Sequence, residues 1–362
     1  MRNIALILLL AVHTIPLCAQ HSFGPVRENR SVPVLADPDC RMLYSSPKDT
    51  LSVFVIGDVM MHSPQMEYDH SEFLSLIEHR MKAADICIVN MEFTTAGKPY
   101  TGYPCFSAPD SYAWDIAQKG ADVFLMANNH ILDKGTKGLD RTLEVYDRIR
   151  DSLGVLHTGT GWEPLTLVRK GISLSLVNFT YGTNNPNEGS VKINRMDREA
   201  LAGMFEAIPE NNDFIITLPH WGVEYKLIHN ALQEEWARFL VEQGSDVIVG
   251  GHPHVPQDTS HVCGVPVIYS LGNAVSNMSH PNTQLELAVT LRFVSDRISS
   301  EKKMLEPQID FMWCSRPGGF SDNYRVVFVD EWMDRPETWT RSDYDNMVTT
   351  RKRVCEQSGL CK

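Results

Sequence analysis

In the stretch GGHPHVPQ (250–257), His252 and His254 follow a pair of glycines, and five other short clusters carry side chains able to bind a metal. These are Asp58 in GDVMMH, Glu92 in NMEFT, Asn129 and His130 in ANNHILDKG, His220 in PHWGVEY and Asn273 in YSLGN. Two carboxylates, an amide oxygen and several imidazoles make a mixed oxygen and nitrogen donor set suited to two divalent transition ions. One ion would take Asp58 and His254, the other Asn129, His220 and His252, with a carboxylate bridging. Each residue also has a plainer use by itself: Asp58 as a helix cap, Glu92 as a solvated loop charge, Asn129 as a turn residue. The cysteines form no CxxC pair, which argues against a structural zinc knuckle.

Every cluster closes an apolar run. Runs at 51–56, 86–89, 123–126, 214–218, 247–249 and 267–270 read as buried strands, with a further strand at 174–178. Helical spacing falls between them, at 71–84, 111–119, 139–150, 197–208 and 231–243, the fourth opened by Asp197 as a cap. Strands alternating with helices imply a layered α/β fold with helices packed on sheet faces. In such sheets ligands bind beyond the carboxyl ends of the strands, so the clusters should converge on one edge. The segment 285–294 alternates apolar and polar residues and is expected to be an antiparallel strand with one wet face. Further on, 326–329 reads as a short strand and 343–355 as a helix, without a catalytic motif.

Composition bounds the partners. The chain has 362 residues, 43% of them hydrophobic, and 33 Lys plus Arg against 45 Asp plus Glu give a net charge of −12. Nucleic acid is excluded as a partner, because neutralising phosphates needs a basic face. An anionic substrate would have to be drawn by a metal or a small positive patch. Residues 1–19 read as a secretory signal peptide: Arg2, an apolar core at 4–12 and Leu17-Cys18-Ala19 as the cleavage site. The expected location is therefore periplasmic or cell-envelope associated. Cys18 offers a lipid anchor as the alternative, against which the bulky Leu17 stands. Residues 20–49 read as a tail or linker, 50–295 as the domain and 296–362 as a C-terminal extension covering the core. Cys355 and Cys361 are placed to close a small terminal loop, and Cys87 lies in an apolar run as a buried small hydrophobe.

The six motifs, in this order and over about 52–293, resemble the bacterial CapA-type capsule and poly-γ-glutamate synthesis proteins of the calcineurin-like metallophosphoesterase superfamily. The resemblance implies a four-layered α/β/β/α sandwich. It makes Asp58, Glu92, Asn129, His220, His252 and His254 ligands of two divalent ions (Mn, Fe or Zn) and His130 the catalytic histidine, with Asp133 placed to orient it. The superfamily often begins its first motif Asp-X-His; here that third position is Met60, and His62 is the nearest substitute as ligand or substrate contact. The implied activity is metal-dependent hydrolysis of an anionic phosphate- or polymer-type substrate, the alternative a non-catalytic scaffold in a capsule or polymer synthesis complex at the membrane. Loops at 100–109 and 180–189 are expected to shape the pocket, and Trp162 and Trp221 to serve the core or to stack on substrate.

Overall fold

The computed structural model describes residues 48–186, 189–296 and 299–361. The expected signal peptide, the tail up to residue 47, Cys18 and Cys40 lie outside the described residues. The chain first lays down β1 (Lys48–Val59), α1 (Glu78–Ala83), β2 (Ile86–Met91), α2 (Asp110–Gln118), β3 (Val123–Leu125), α3 (Gly135–Leu153) and β4 (Leu156–Thr158). It continues with β5 (Leu165–Arg169), β6 (Ile172–Thr180), α4 (Arg198–Glu206), β7 (Phe214–His220), α5 (Ala231–Glu242), β8 (Val247–Val249), β9 (Thr259–Val262) and β10 (Val265–Ile268). Last come β11 (Leu285–Asp296), β12 (Lys302–Met304), β13 (Gln308–Ser315), β14 (Arg325–Phe328), α6 (Val329–Trp332) and α7 (Arg341–Ser358).

Two sheets result, ordered β14-β13-β11-β1-β2-β3-β4 and β5-β6-β7-β8-β10-β9, with β12 pairing β11. The strands β1 to β4 run parallel, as do β6, β7, β8 and β10. Alternation along β1 shows why the sheets stack. Leu51, Val53 and Val55 meet Leu174, Leu176, Ile216 and Leu218 of the second sheet, while Phe54 and Ile56 turn to Met81, Ile116 and Val145 on the helices α1 to α3. Behind the second sheet Phe179, Ile248 and Val267 pack on Leu201 and Met204 of α4 and on Trp236 and Leu240 of α5. The layers are therefore helix, sheet, sheet, helix, the four-layered α/β/β/α order expected from the sequence.

Three segments refine the sequence reading. The 71–84 stretch is not one helix: a 3₁₀ turn at His70–Glu72 is followed by tight turns, and only Glu78–Ala83 is α-helical. Bonds from Ser75 N to Glu72 O and from Ile77 N to Leu74 O, both 3.2 Å, keep the tighter winding. That winding buries the adjacent residues Phe73 and Leu74 together. The strand β11 has no wet face, because it lies between β1 and β13 with both sides covered, so Glu286 is only 1% exposed. Residues beyond 296 supply β13 and β14 to the first sheet, and Met347 and Val354 of α7 join the core between the sheets. Cys355 and Cys361 form a disulfide at the end of α7, and Cys87 is buried and free.

The end of β1 is zipped to the segment after β10 by Asp58 N to Gly272 O (2.9 Å) and Met60 N to Val275 O (2.8 Å). A Cβ at Gly57 would stand 2.1 Å from Gly272 O, so only glycine allows this approach. Gly57→Ala is expected to cost about 2–4 kcal/mol, seen as a lower urea midpoint at unchanged slope.

Candidate metal centre

Asp58 lies at the end of β1, Glu92 just after β2, Asn129 and His130 after β3, His220 at the end of β7, His252 and His254 after β8, and Asn273 after β10. The topology gathers them because both parallel sets of strands point their carboxyl ends the same way. All eight side chains are buried. The turn carrying the two histidines is sharp, with His252 at φ +96° and His254 at φ +60°. Left-handed backbone in non-glycine residues is costly and is kept here by outside bonds. His252 N donates to Asp58 Oδ2 at 3.1 Å, and Tyr225 N donates to Pro253 O at 2.8 Å. Gly251 leaves the room this needs, since a Cβ there would stand 2.8 Å from Asp58 Oδ1.

Glu92 lies at the centre of the cluster. It is fully buried, and neither carboxylate oxygen has a hydrogen-bond partner. Oε1 stands 3.5 Å from His220 Nε2 and 4.0 Å from His130 Nε2, and Oε2 stands 3.8 Å from His254 Nδ1. His252 Nδ1 is likewise buried without a partner. Donor atoms of Glu92, His252 and His254 lie within 4.8 Å of one another. A buried carboxylate and an imidazole nitrogen left unpaired are expensive unless a cation occupies the space between them. The donor set thus fits a divalent ion, and Asp58 and His220 border the same space, with His220 Nδ1 4.0 Å from Asp58 Oδ1. Asn129 Oδ1 accepts from His220 Nε2 at 2.8 Å, which brings the amide to the same edge.

Electrostatics follow the geometry. Burial alone would raise the pKa of Asp58, but the bond from His254 and the nearby His220 outweigh it and hold the carboxyl well below its usual range. Burial would likewise lower His254, yet Glu92 and Asp58 push it up to about 9, so its ring is protonated at neutral pH in the metal-free protein. His252 goes the opposite way: burial, then His220 and His254, keep it neutral with a lone pair available. A metal bound by His254 must displace its proton. Metal binding at pH 7 is therefore expected to release about one proton from this ring, and affinity to rise up to about tenfold per pH unit until pH approaches 9. Calorimetric titrations in buffers of different ionisation heat measure that proton directly.

His130 is oriented from behind. Its Nδ1 donates to Asp133 Oδ2 at 2.7 Å, and Phe106 N donates to the same oxygen at 2.7 Å. Nε2 is thereby turned toward Glu92. Asn277 N donates to His62 Nδ1 at 3.2 Å, and burial lowers the pKa of this ring to about 4, with His254 and His130 near enough to add to the fall. Met60 is buried in the apolar core and Trp221 in the core behind the second sheet, where its Nε1 donates to Tyr269 O. Trp162 is partly buried against that same core.

Several supporting residues escaped the sequence reading. Asn90 Nδ2 donates to Asp58 Oδ1 at 2.6 Å, and its place two residues before Glu92 was the available signal. Asn273, unlike these, was singled out with its YSLGN motif, and it accepts from His254 Nδ1 at 2.8 Å. Asn184 Nδ2 lies 3.4 Å from Asp133 Oδ1, within the loop expected to shape the pocket. Glu286 Oε1 accepts from Gly57 N at 2.7 Å, and burial pushes its carboxyl pKa well up. Nothing in the alternating pattern of β11 marks it.

Stacked sheets between helix layers, with carboxylates, amides and imidazoles at the common carboxyl edge, make a layered α/β sandwich carrying a candidate metal centre. Residues 52–278 match the model of the bacterial capsule synthesis protein PGA_cap family, and the chain belongs to that family. It is 26% identical over 260 residues to the PGA biosynthesis protein CapA of Bacillus subtilis (strain 168), covering 65% of this chain and 66% of that one. With the capsule biosynthesis protein CapA of Bacillus anthracis the identity is 24% over 257 residues, covering 65% and 62%. A probable polyglutamine synthesis accessory protein of Mycobacterium tuberculosis is 23% identical over 255 residues, covering 63% and 66%. The chain thus spans just under two thirds of the length of these curated relatives. Among solved structures it is similar to a 5′-nucleotidase from Candida albicans SC5314, with TM-score 0.45, 13% identity and coverage of 83% of this chain and 58% of that one. A phosphatase from Mycoplasma pneumoniae gives TM-score 0.42 and 13% identity, covering 73% and 93%.

Proposed function

We propose that the chain is an exported, metal-dependent hydrolase of phosphoesterase type that serves capsule or poly-γ-glutamate synthesis. The observation that carries this reading is Glu92, fully buried with both oxygens unpaired and facing the histidines. Asp58, Glu92, Asn129, His220, His252 and His254 would hold two divalent ions. Bound there, the ions would supply positive charge to a phosphoryl group and a lowered pKa to water. The chain's own residues do the rest. Asp58, with its carboxyl kept ionised, fixes the turn bearing His252, and Asn273 fixes the ring of His254. Asp133 holds the Nδ1 proton of His130, leaving Nε2 to face the reacting group. In hydrolysis the water oxygen forms a bond to phosphorus, the bond to the leaving oxygen breaks, and the imidazolium form of His130 gives that oxygen its Nε2 proton while Nδ1 keeps its own beside Asp133. The proton lost by the water then restores His130 through solvent.

A second reading, a non-catalytic scaffold of the polymer machinery, is favoured by Met60, whose thioether is buried where relatives of the superfamily often carry histidine. Elemental mass spectrometry of the purified chain, with assays on phosphomonoesters, phosphodiesters and γ-glutamyl amides, separates the two. Bound metal with phosphoester turnover supports the hydrolase, and bound metal without turnover of any of these supports the scaffold. A chain that takes up no divalent ion refutes the metal centre.

A further inference from the structure

Three tyrosines lie around the candidate metal centre, Tyr181 and Tyr225 near its histidines and Tyr103 linked to His130 through Phe106. The ring of Tyr181 is 45% exposed and lies 4.5 Å from His252 and 6.5 Å from His220. Tyr225 stacks on His280 at 3.9 Å and lies 6.2 Å from His254. Tyr103, 70% exposed, lies 6.5 Å from Phe106, whose ring is 4.7 Å from His130. Folding gains nothing from leaving the rings of Tyr103 and Tyr181 in water, and aromatic side chains exposed together at a site are commonly ligand contacts, while Tyr225 beside them is half-buried. Tyr225, on the segment after β7 at φ +65°, is moreover tied by its N–H to Pro253 O in the turn that presents His252 and His254. Its position is fixed together with theirs.

The chemistry of the rim narrows its ligand. The phenol hydroxyls of Tyr181 and Tyr225 are able to donate. Glu224 is exposed beside them as an acceptor. The exposed rings of Tyr103 and Tyr181, phenol hydroxyls and a carboxylate acceptor suit a saturated ring carrying hydroxyl groups, which stacks its C–H face and donates to the carboxylate. The same carboxylate repels a polyanion continuing beyond the reacting group. We propose that the rim of Tyr103, Tyr181, Tyr225 and Glu224 is a sugar-binding subsite, and that the substrate is a phosphate ester of a sugar with its leaving oxygen on the Tyr103 side, beside His130. This rests on the phosphoesterase reading of the metal centre.

Calorimetric titration of the full chain, loaded with Mn²⁺, with methylphosphonate, a glucopyranosyl phosphonate and a nucleoside phosphonate tests it without turnover. The expected order places the glucopyranosyl compound about tenfold or more tighter than methylphosphonate, and the nucleoside compound between them. In Tyr181→Ala and Tyr225→Ala chains, checked for Mn²⁺ stoichiometry, the ratio of the first two affinities is expected to fall to within about threefold. Equal affinity for the methyl and glucopyranosyl compounds overturns the subsite and leaves the metal centre standing. A nucleoside compound binding tightest overturns the assignment to sugar. No binding of any phosphonate to the Mn²⁺-loaded chain overturns the subsite and the phosphoesterase reading together.

Discussion

His130→Ala is expected to lower turnover of a phosphoester by about 10²–10⁴-fold while leaving the bound metal in place. The size follows from its position. Nε2 faces the cluster 4.0 Å from Glu92 Oε1, at the border of the space that the candidate ligands share, whereas Nδ1 is committed to Asp133. The orientation of the ring is therefore preset, with Nε2 presented to the cluster. Asp133→Asn retains the shape but exchanges an acceptor for an amide that can donate to Nδ1, so much of the same loss is expected with His130 still present. Phe106 N and Asn184 Nδ2 also lean on Asp133, so the amide variant should be compared by thermal melt to separate lost orientation from lost packing. Turnover by His130→Ala equal to that of the unaltered chain would remove the histidine from the chemistry.

The second large effect concerns stability. At 100 to 1,000 times its dissociation constant, a divalent ion is expected to stabilise the fold by about 3–4 kcal/mol, raising the melting midpoint by on the order of 5–10 °C. Chelation returns Glu92 to a dry pocket with two unpaired oxygens, compensated only by the proton on His254. Glu92→Gln removes that charge at nearly constant volume. With chelator the variant is expected to melt at or above the unaltered chain, and with excess metal below it. That reversal of order, followed by fluorescence or calorimetric melts, is the diagnostic. A Glu92→Gln chain that gains as much from metal as the parent would mean that the ion is held elsewhere.

Much of this site could be read from the sequence because strand ends are locally encoded. Val247, Ile248 and Val249 are β-branched, Gly250 and Gly251 break the run, and the histidines follow immediately. Asp58 and His220 are announced in the same way, by an apolar run ending in a polar side chain. Long-range relations were not so announced. The break of the 71–84 segment into turns comes from the need to bury Phe73 and Leu74 side by side, and no periodicity within the segment states that need. The alternation in β11 correctly signalled a strand but not its neighbours, and with β13 on its other side the polar residues became buried. Glu286 is the sharpest case: its meaning depends on Gly57, 229 positions away. Asn90 escaped for a related reason, since an amide that orients a ligand has the same local look as one that makes a turn.

The pairing of β1 with β11 has a consequence for the order of folding. Val53 of the strand that ends in Asp58 lies opposite Leu291, and their separation in sequence makes this among the slowest contacts to find. Every ligand precedes residue 255, yet the strand that clamps the first of them begins at Leu285 and is itself backed by β13. A growing chain would thus hold all its donors long before it could arrange them. Truncation at residue 278, the end of the family match, should give a polypeptide that binds metal loosely through mobile histidines and lacks a native core, because the site is closed by the part of the chain that carries none of its chemistry.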